Sequence, residues 1–168
     1  MAVIADDYTF ENLERVAHAT ALWLKEDYGE APSVVLGHDT RFMGREFAEL
    51  AARVLASQGV RVALAETFVS TPAISWATEA KGCDAGVVIT ASHNPPKYNG
   101  FKIKADFGGP APPEMIAAVE EATTRVPART EPLPSLEALK GEGAVQEEDI
   151  TAAYLEALRE RLDIAAIR

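Results

Sequence analysis

Short runs of adjacent apolar residues alternate with longer stretches of helical periodicity, and this alternation restricts the fold more than any other feature of the chain. Val34-Val35-Leu36, Val60 to Ala65 and Val87-Val88-Ile89 are short and rich in β-branched residues, so each reads as a buried strand. Thr9 can cap a helix on which Phe10, Leu13, Val16, Ala17 and Leu24 recur at helical spacing, with Gly29 and Pro32 to end it. Phe47, Leu50, Ala51, Val54 and Leu55 form the apolar face of a second helix, stopped by Gly59. Thr71-Pro72 begins a short third helix and Gly82 ends it. Gly100 to Lys104 reads as a fourth strand, antiparallel, entered through an Asn99-Gly100 turn. Pro112-Pro113-Glu114 opens a helix carrying Ile116, Ala117 and Val119, and a last helix has Ile150, Tyr154, Leu155, Leu158 and Leu162 on one side. Residues 126–148 are rich in Pro, Glu and Gly with little periodicity, and read as a long surface connection.

Strands alternating with helices predict an α/β fold, a three-layer α/β/α domain over residues 1–168. Its sheet is expected to be mixed and mostly parallel, four-stranded, with the last strand antiparallel. Right-handed crossovers place the first strand in the middle, with the second and third on either side. Ligands bind open α/β sheets at such a switch point, beyond the carboxyl ends of the strands. The 37–44 loop and the loop after Val87-Val88-Ile89 both emerge there.

The 168-residue chain is long enough to bury a core of its own. It carries a formal net charge of −10, which argues against nucleic acid or an anionic membrane as partner. No apolar run is long enough to span a bilayer, and the acidic N-terminus does not resemble a signal peptide. A single cysteine, Cys83, cannot form an internal disulfide, which fits a cytoplasmic protein. His18, His38, His93 and Cys83 form no zinc-type pattern, and Trp23 and Trp76 read as core anchors.

Charge is unevenly placed. Between Ser92 and Ala105 there is no acid, while Lys97, Lys102 and Lys104 are all present. Such an island is either a solvated strand edge or a site for a small phosphorylated ligand. It lies within Thr90-Ala91-Ser92-His93-Asn94-Pro95-Pro96-Lys97-Tyr98-Asn99-Gly100-Phe101-Lys102, where a hydroxyl is followed at once by an imidazole and an amide. A serine after a strand is ordinarily a turn former. Here two prolines stiffen the segment beside it and a lysine follows.

This segment closely resembles the phosphoserine loop of the α-D-phosphohexomutases, the phosphoglucomutase/phosphomannomutase family. Gly37-His38-Asp39-Thr40-Arg41 resembles a second signature of the same domain, with His38 standing where an aromatic-type residue is usual. The resemblance implies that Ser92 carries a phosphoryl group exchanged with a hexose phosphate or bisphosphate. It implies that Lys102 sits near the transferring group, assisting acid–base steps and substrate binding, and that Arg41 also contributes to binding. His93 either takes part in proton transfer at the serine or orders the loop. Asp39 and Arg41 form either an ion pair in a surface turn or, with Asn94 and Asn99, a network supporting the loop. Mg²⁺ is implied as cofactor, touched by Ser92 only through its phosphoryl group, with its ligands mostly in a second domain.

The resemblance covers the first of four domains, and the chain reads as an excised first domain whose partners are the remaining ones. The Asp-Gly-Asp metal loop, the sugar-recognition loop and the distal phosphate clamp belong to the others, and Met1 stands where a Gly-Thr-Ser-Gly-Trp-Arg-type loop should have just ended. The isolated domain is therefore expected to be inactive. The alternative is a non-catalytic module that binds sugar phosphate or docks to a partner. A serine hydrolase fits poorly, because no Gly-x-Ser-x-Gly elbow surrounds Ser92.

Overall fold

A computed structural model describes residues 1–167; Arg168, the last residue of the expected domain, lies outside the described residues. Three strands, β2 (Ser33–His38), β3 (Arg61–Ala65) and β4 (Ala85–Ile89), run parallel, with β2 between the other two. β6 (Phe101–Ala105) lies antiparallel to β4, and β7 (Val145–Glu148) lies parallel to β3. The sheet order is thus β6-β4-β2-β3-β7, five strands where the sequence suggested four. β1 (Ala2–Val3) and β5 (Tyr98–Asn99) form a separate two-stranded antiparallel ladder.

Side-chain alternation along the strands divides the core. Val34, Leu36, Val87 and Ile89 face a large cluster with Trp23 and Leu24 from α1 (Phe10–Tyr28) and Phe47 and Leu55 from α2 (Gly44–Ser57), joined by Val119 of α4 (Pro113–Thr123). Val35 and Val88 face the other way, toward Ile74 and Ala77 of α3 (Thr71–Ala80) and Ile150 of α6 (Ile150–Arg161). Covered on both faces, β4 has every residue buried, which is why it reads as a continuous apolar run. Gly86 in that strand allows α3 to sit close: a Cβ there would lie 2.2 Å from Thr78 Oγ1.

The sequence differs from the structure at three further places. α3 is capped by Ser70, whose hydroxyl accepts from Ala73 N at 3.3 Å, so Thr71 and Pro72 occupy its first turn. Asn99-Gly100 is not a hairpin turn: Asn99 pairs with Ala2, and the Gly100 carbonyl accepts from Thr90 N at 3.0 Å as the chain rejoins the sheet. The 126–148 stretch is a surface connection only in its first part. Arg53 Nε and Nη2 tie it down through Pro134 O and Leu133 O, and beyond it come α5 (Leu136–Gly141) and β7. On α6 the apolar stripe is half used, with Ile150 buried, Tyr154 stacked near Trp76 at 5.9 Å, and Leu155 and Leu162 exposed.

The outer rim of β6 is met by the following segment. Ala105 N donates to Gly109 O at 3.0 Å, and Ala111 N to Ile103 O at 3.2 Å, bracketing Pro110. At the opposite side β7 is bound by charge. Glu147 accepts from Lys140 Nζ at 2.7 Å and from Arg45 Nη2 at 3.1 Å, and Glu148 pairs with Lys81. Among the described residues no helix is long and apolar enough to cross a membrane. A short terminal helix, α7 (Ile164–Ile167), follows α6.

The hydrogen bond from Lys140, helped by the charges of Lys140 and Arg45 and opposed by partial burial, holds the Glu147 carboxyl below the usual carboxylate range. A lowered folded pKa means that this stabilisation is present above the unfolded pKa and lost as pH falls through the folded one. Glu147→Gln should therefore lower Tm by about 1–3 °C at pH 7, and the difference should vanish by about pH 3. Equal Tm values for the two proteins at pH 7 would show that β7 is held by its backbone alone.

Candidate active site

Two loops leave the carboxyl end of the sheet beside each other, because β2 and β4 are parallel neighbours: residues 39–43 after β2, and 90–97 after β4. Gly44 lets α2 begin against the first loop, since a Cβ there would lie 2.9 Å from Asp39 O. His38 is buried, and its Nδ1–H donates to that same carbonyl at 2.8 Å, so it shapes the turn instead of facing outward.

Arg41 is the centre of the site. Its side chain is only 13% exposed, and its terminal nitrogens donate to four carbonyls of the second loop. Nη2 reaches Ser92 O at 2.6 Å and Asn94 O at 2.7 Å, and Nη1 reaches Pro95 O and Tyr98 O, both at 3.1 Å. Those four bonds use all four terminal N–H groups, and through them Arg41 holds the loop. Asp39 orients it. Oδ1 accepts from Arg41 N at 2.9 Å, and Oδ2 lies 3.3 Å from Nε, an ion-pair contact without hydrogen-bond alignment.

Ser92 stands exposed at the tip of this frame in a left-handed backbone conformation, φ 56°. His93 is exposed beside it, with Nδ1 3.4 Å from Ser92 Oγ, too far for a strong hydrogen bond. Asn94 caps the turn, its N and Nδ2 both donating to Ala91 O at 3.0 and 2.9 Å. Asn99 is fully buried, and its Oδ1 accepts from Gly100 N at 2.9 Å. The structure thus brings Ser92, His93, Asp39, Arg41 and Asn94 together, while the Asn99 side chain serves its neighbour Gly100.

Lys102 approaches from the side. It lies on β6 directly opposite Val88, the strand that delivers Ser92, and half-buried. Lys104 follows on the same strand face, and burial, then the Lys102 charge, pushes its ammonium below the usual lysine range. Neither lysine has a carboxylate partner among the salt bridges of the described residues, so the acid-free stretch is an open cationic edge. One participant escaped the sequence reading. Thr90 is buried, donates to Asp39 Oδ2 at 2.5 Å and accepts from Ser92 N at 2.9 Å. Its partner Asp39 is 51 positions away, so no local pattern marks it.

A profile for the phosphoglucomutase/phosphomannomutase alpha/beta/alpha domain I matches residues 1–130. The chain belongs to this family. A phosphoglucomutase/phosphomannomutase of Thermococcus kodakarensis is 35% identical over 163 residues, covering 97% of this chain and 34% of the relative. A Thermus thermophilus crystal structure, assigned provisionally as a phosphomannomutase, superposes with TM-score 0.85 at 38% identity. It covers 98% of this chain and 35% of that one. A Burkholderia thailandensis structure of the same family gives TM-score 0.71 at 25% identity, covering 92% and 32%. The chain therefore spans about a third of the length of these relatives.

Lysine cannot replace a guanidinium here, because its three donors radiate from one point and cannot span four carbonyls. Arg41→Lys should speed amide exchange at Asn94 and Tyr98 at least about tenfold and lower Tm by roughly 2–6 °C. Unchanged protection at both amides would mean that the loop is held by something else.

Proposed function

We propose that this chain is the phosphoserine domain of a phosphohexomutase, with Ser92 accepting and returning the phosphoryl group. The observation that carries the reading is the presentation of Ser92: an exposed hydroxyl on a loop whose carbonyls are pinned by one largely buried arginine. Phosphoryl transfer calls for little covalent help and depends on positioning and charge stabilisation. A rigid nucleophile meets the first need, and Lys102, opposite Val88 on the strand that delivers Ser92, is the cation assigned to the second.

In the transfer step a sugar hydroxyl oxygen bonds to phosphorus as the bond from phosphorus to Ser92 Oγ breaks. The sugar hydroxyl loses its proton and Ser92 Oγ gains one. Lys102 and His93 are the groups assigned to that proton movement, Lys102 also steadying the charge on the transferring group. The reverse step regenerates phosphoserine, so hexose 1- and 6-phosphates interconvert through a bisphosphate. Sugar recognition and the distal phosphate clamp are assigned to further domains. The same chemistry, on intracellular sugar phosphates and with a lone unpaired cysteine, suits the cytoplasm.

Among the described residues no three His, Cys, Asp or Glu side chains are grouped to hold a metal ion. Mg²⁺ would meet this chain through a phosphoryl oxygen on Ser92, where it would neutralise charge. Its protein ligands would come from outside residues 1–167.

The test is a graft in which this chain replaces the matching segment of the Thermococcus kodakarensis relative. After exposure to glucose 1,6-bisphosphate and Mg²⁺, peptide mass spectrometry should place one phosphoryl group on Ser92, and Ser92→Ala should abolish turnover. A phosphoryl group elsewhere, with the Ser92→Ala graft fully active, would overturn the reading. Lys102→Ala in the graft should lower kcat/KM roughly 100-fold or more without loss of cooperative unfolding. A normal rate would remove Lys102 from the chemistry, and a collapse in Tm would make it a structural residue.

A further inference from the structure

We propose that Thr90 is a positioning residue for Ser92, coupling the Asp39–Arg41 pair to the backbone of the nucleophile; the inference rests on the reading of Ser92 as phosphoryl acceptor. A residue with a Cβ persists in the left-handed region where the surrounding structure holds it there, and fixing the groups on both sides of its Cα does so. Ser92, at φ 56°, meets that condition through its own N–H and its own C=O. The N–H donates to Thr90 Oγ1 at 2.9 Å, and the C=O accepts from Arg41 Nη2 at 2.6 Å.

Thr90 and Arg41 are not independent. The one hydroxyl proton of Thr90 goes to Asp39 Oδ2, which leaves its oxygen lone pairs to accept from Ser92 N–H. A hydroxyl donating to a carboxylate is a better acceptor for the next bond in the chain. Asp39 meanwhile fixes Arg41 through the backbone N–H and the contact to Nε. The two polar ends of a single residue are therefore gripped by two side chains that share one carboxylate. Thr90 is 2% exposed, so its hydroxyl is shielded from water. Rotation of Ser92 out of this conformation would move Oγ from its place at the tip of the loop, and a displacement of about 1 Å is enough to cost on the order of 100-fold in rate.

Thr90→Val keeps the shape and β-branching but removes the hydroxyl, and Thr90→Ser keeps the hydroxyl. In the 168-residue chain, amide exchange at Ser92 should become at least about tenfold faster in Thr90→Val, while the amides of β2 and β4 keep their protection. Thr90→Ser should restore the Ser92 value. A Ser92 amide as protected in Thr90→Val as in the parent overturns the clamp. In the grafted enzyme, Thr90→Val should lower kcat about 10- to 100-fold with KM within about threefold, and Thr90→Ser should recover most of it. An unchanged kcat, or a uniform loss in kcat, KM and Tm that Thr90→Ser does not rescue, refutes the positioning role. If the unmodified graft takes no phosphoryl group on Ser92, the reading of Ser92 fails by that measurement, and amide exchange still decides the clamp.

Discussion

The bonds from Arg41 to the carbonyls of Ser92, Asn94, Pro95 and Tyr98 are the interaction on which the rest of the site depends. A loop with this many unpaired carbonyls near a sheet end would otherwise rely on water and sample many shapes. The guanidinium converts it into a single shape, because its planar fork presents donors in fixed directions. Asp39 is the reason the fork points the right way. Everything exposed at the tip, including Ser92 and His93, inherits its position from that buried arrangement.

The sheet makes this arrangement possible. Asp39 and Thr90 follow strands that are parallel neighbours, so residues 51 positions apart in sequence arrive at the same height. The antiparallel return of β6 then brings Lys102 alongside β4 without a crossover helix. Ser92, its clamp and Lys102 thus come from three adjacent strands at the middle and one side of a sheet packed on both faces. Rigid packing below and polar bonding above divide the labour.

Much of the fold was legible because burial leaves a compositional trace. Val34-Val35-Leu36 and Val87-Val88-Ile89 are covered on both faces, so they carry unbroken apolar runs. β7 leaves no such trace. Only Val145 is buried, and Gln146-Glu147-Glu148 read as loop, since their order comes from pairing with β3 and from Arg45, Lys140 and Lys81. Ser92, His93 and Lys102 were legible as a motif, because a family resemblance is carried there in side chains. The holding role of Arg41 and the whole part played by Thr90 were not. Arg41 acts on main-chain oxygens, and Thr90 finds its carboxylate only after folding.

The short segment alongside β6 has a bearing on how this molecule meets other polypeptides. An outer strand normally offers a row of free N–H and C=O groups that another chain can extend. Here Gly109 and Ala111 already engage Ala105 and Ile103, and Pro110 between them has no N–H to offer a newcomer. Along residues 103–105 of β6, the sheet edge is covered against strand addition. A neighbouring domain or a second copy arriving there must be recognised by side chains, and the cationic edge stays clear of fibril-like stacking.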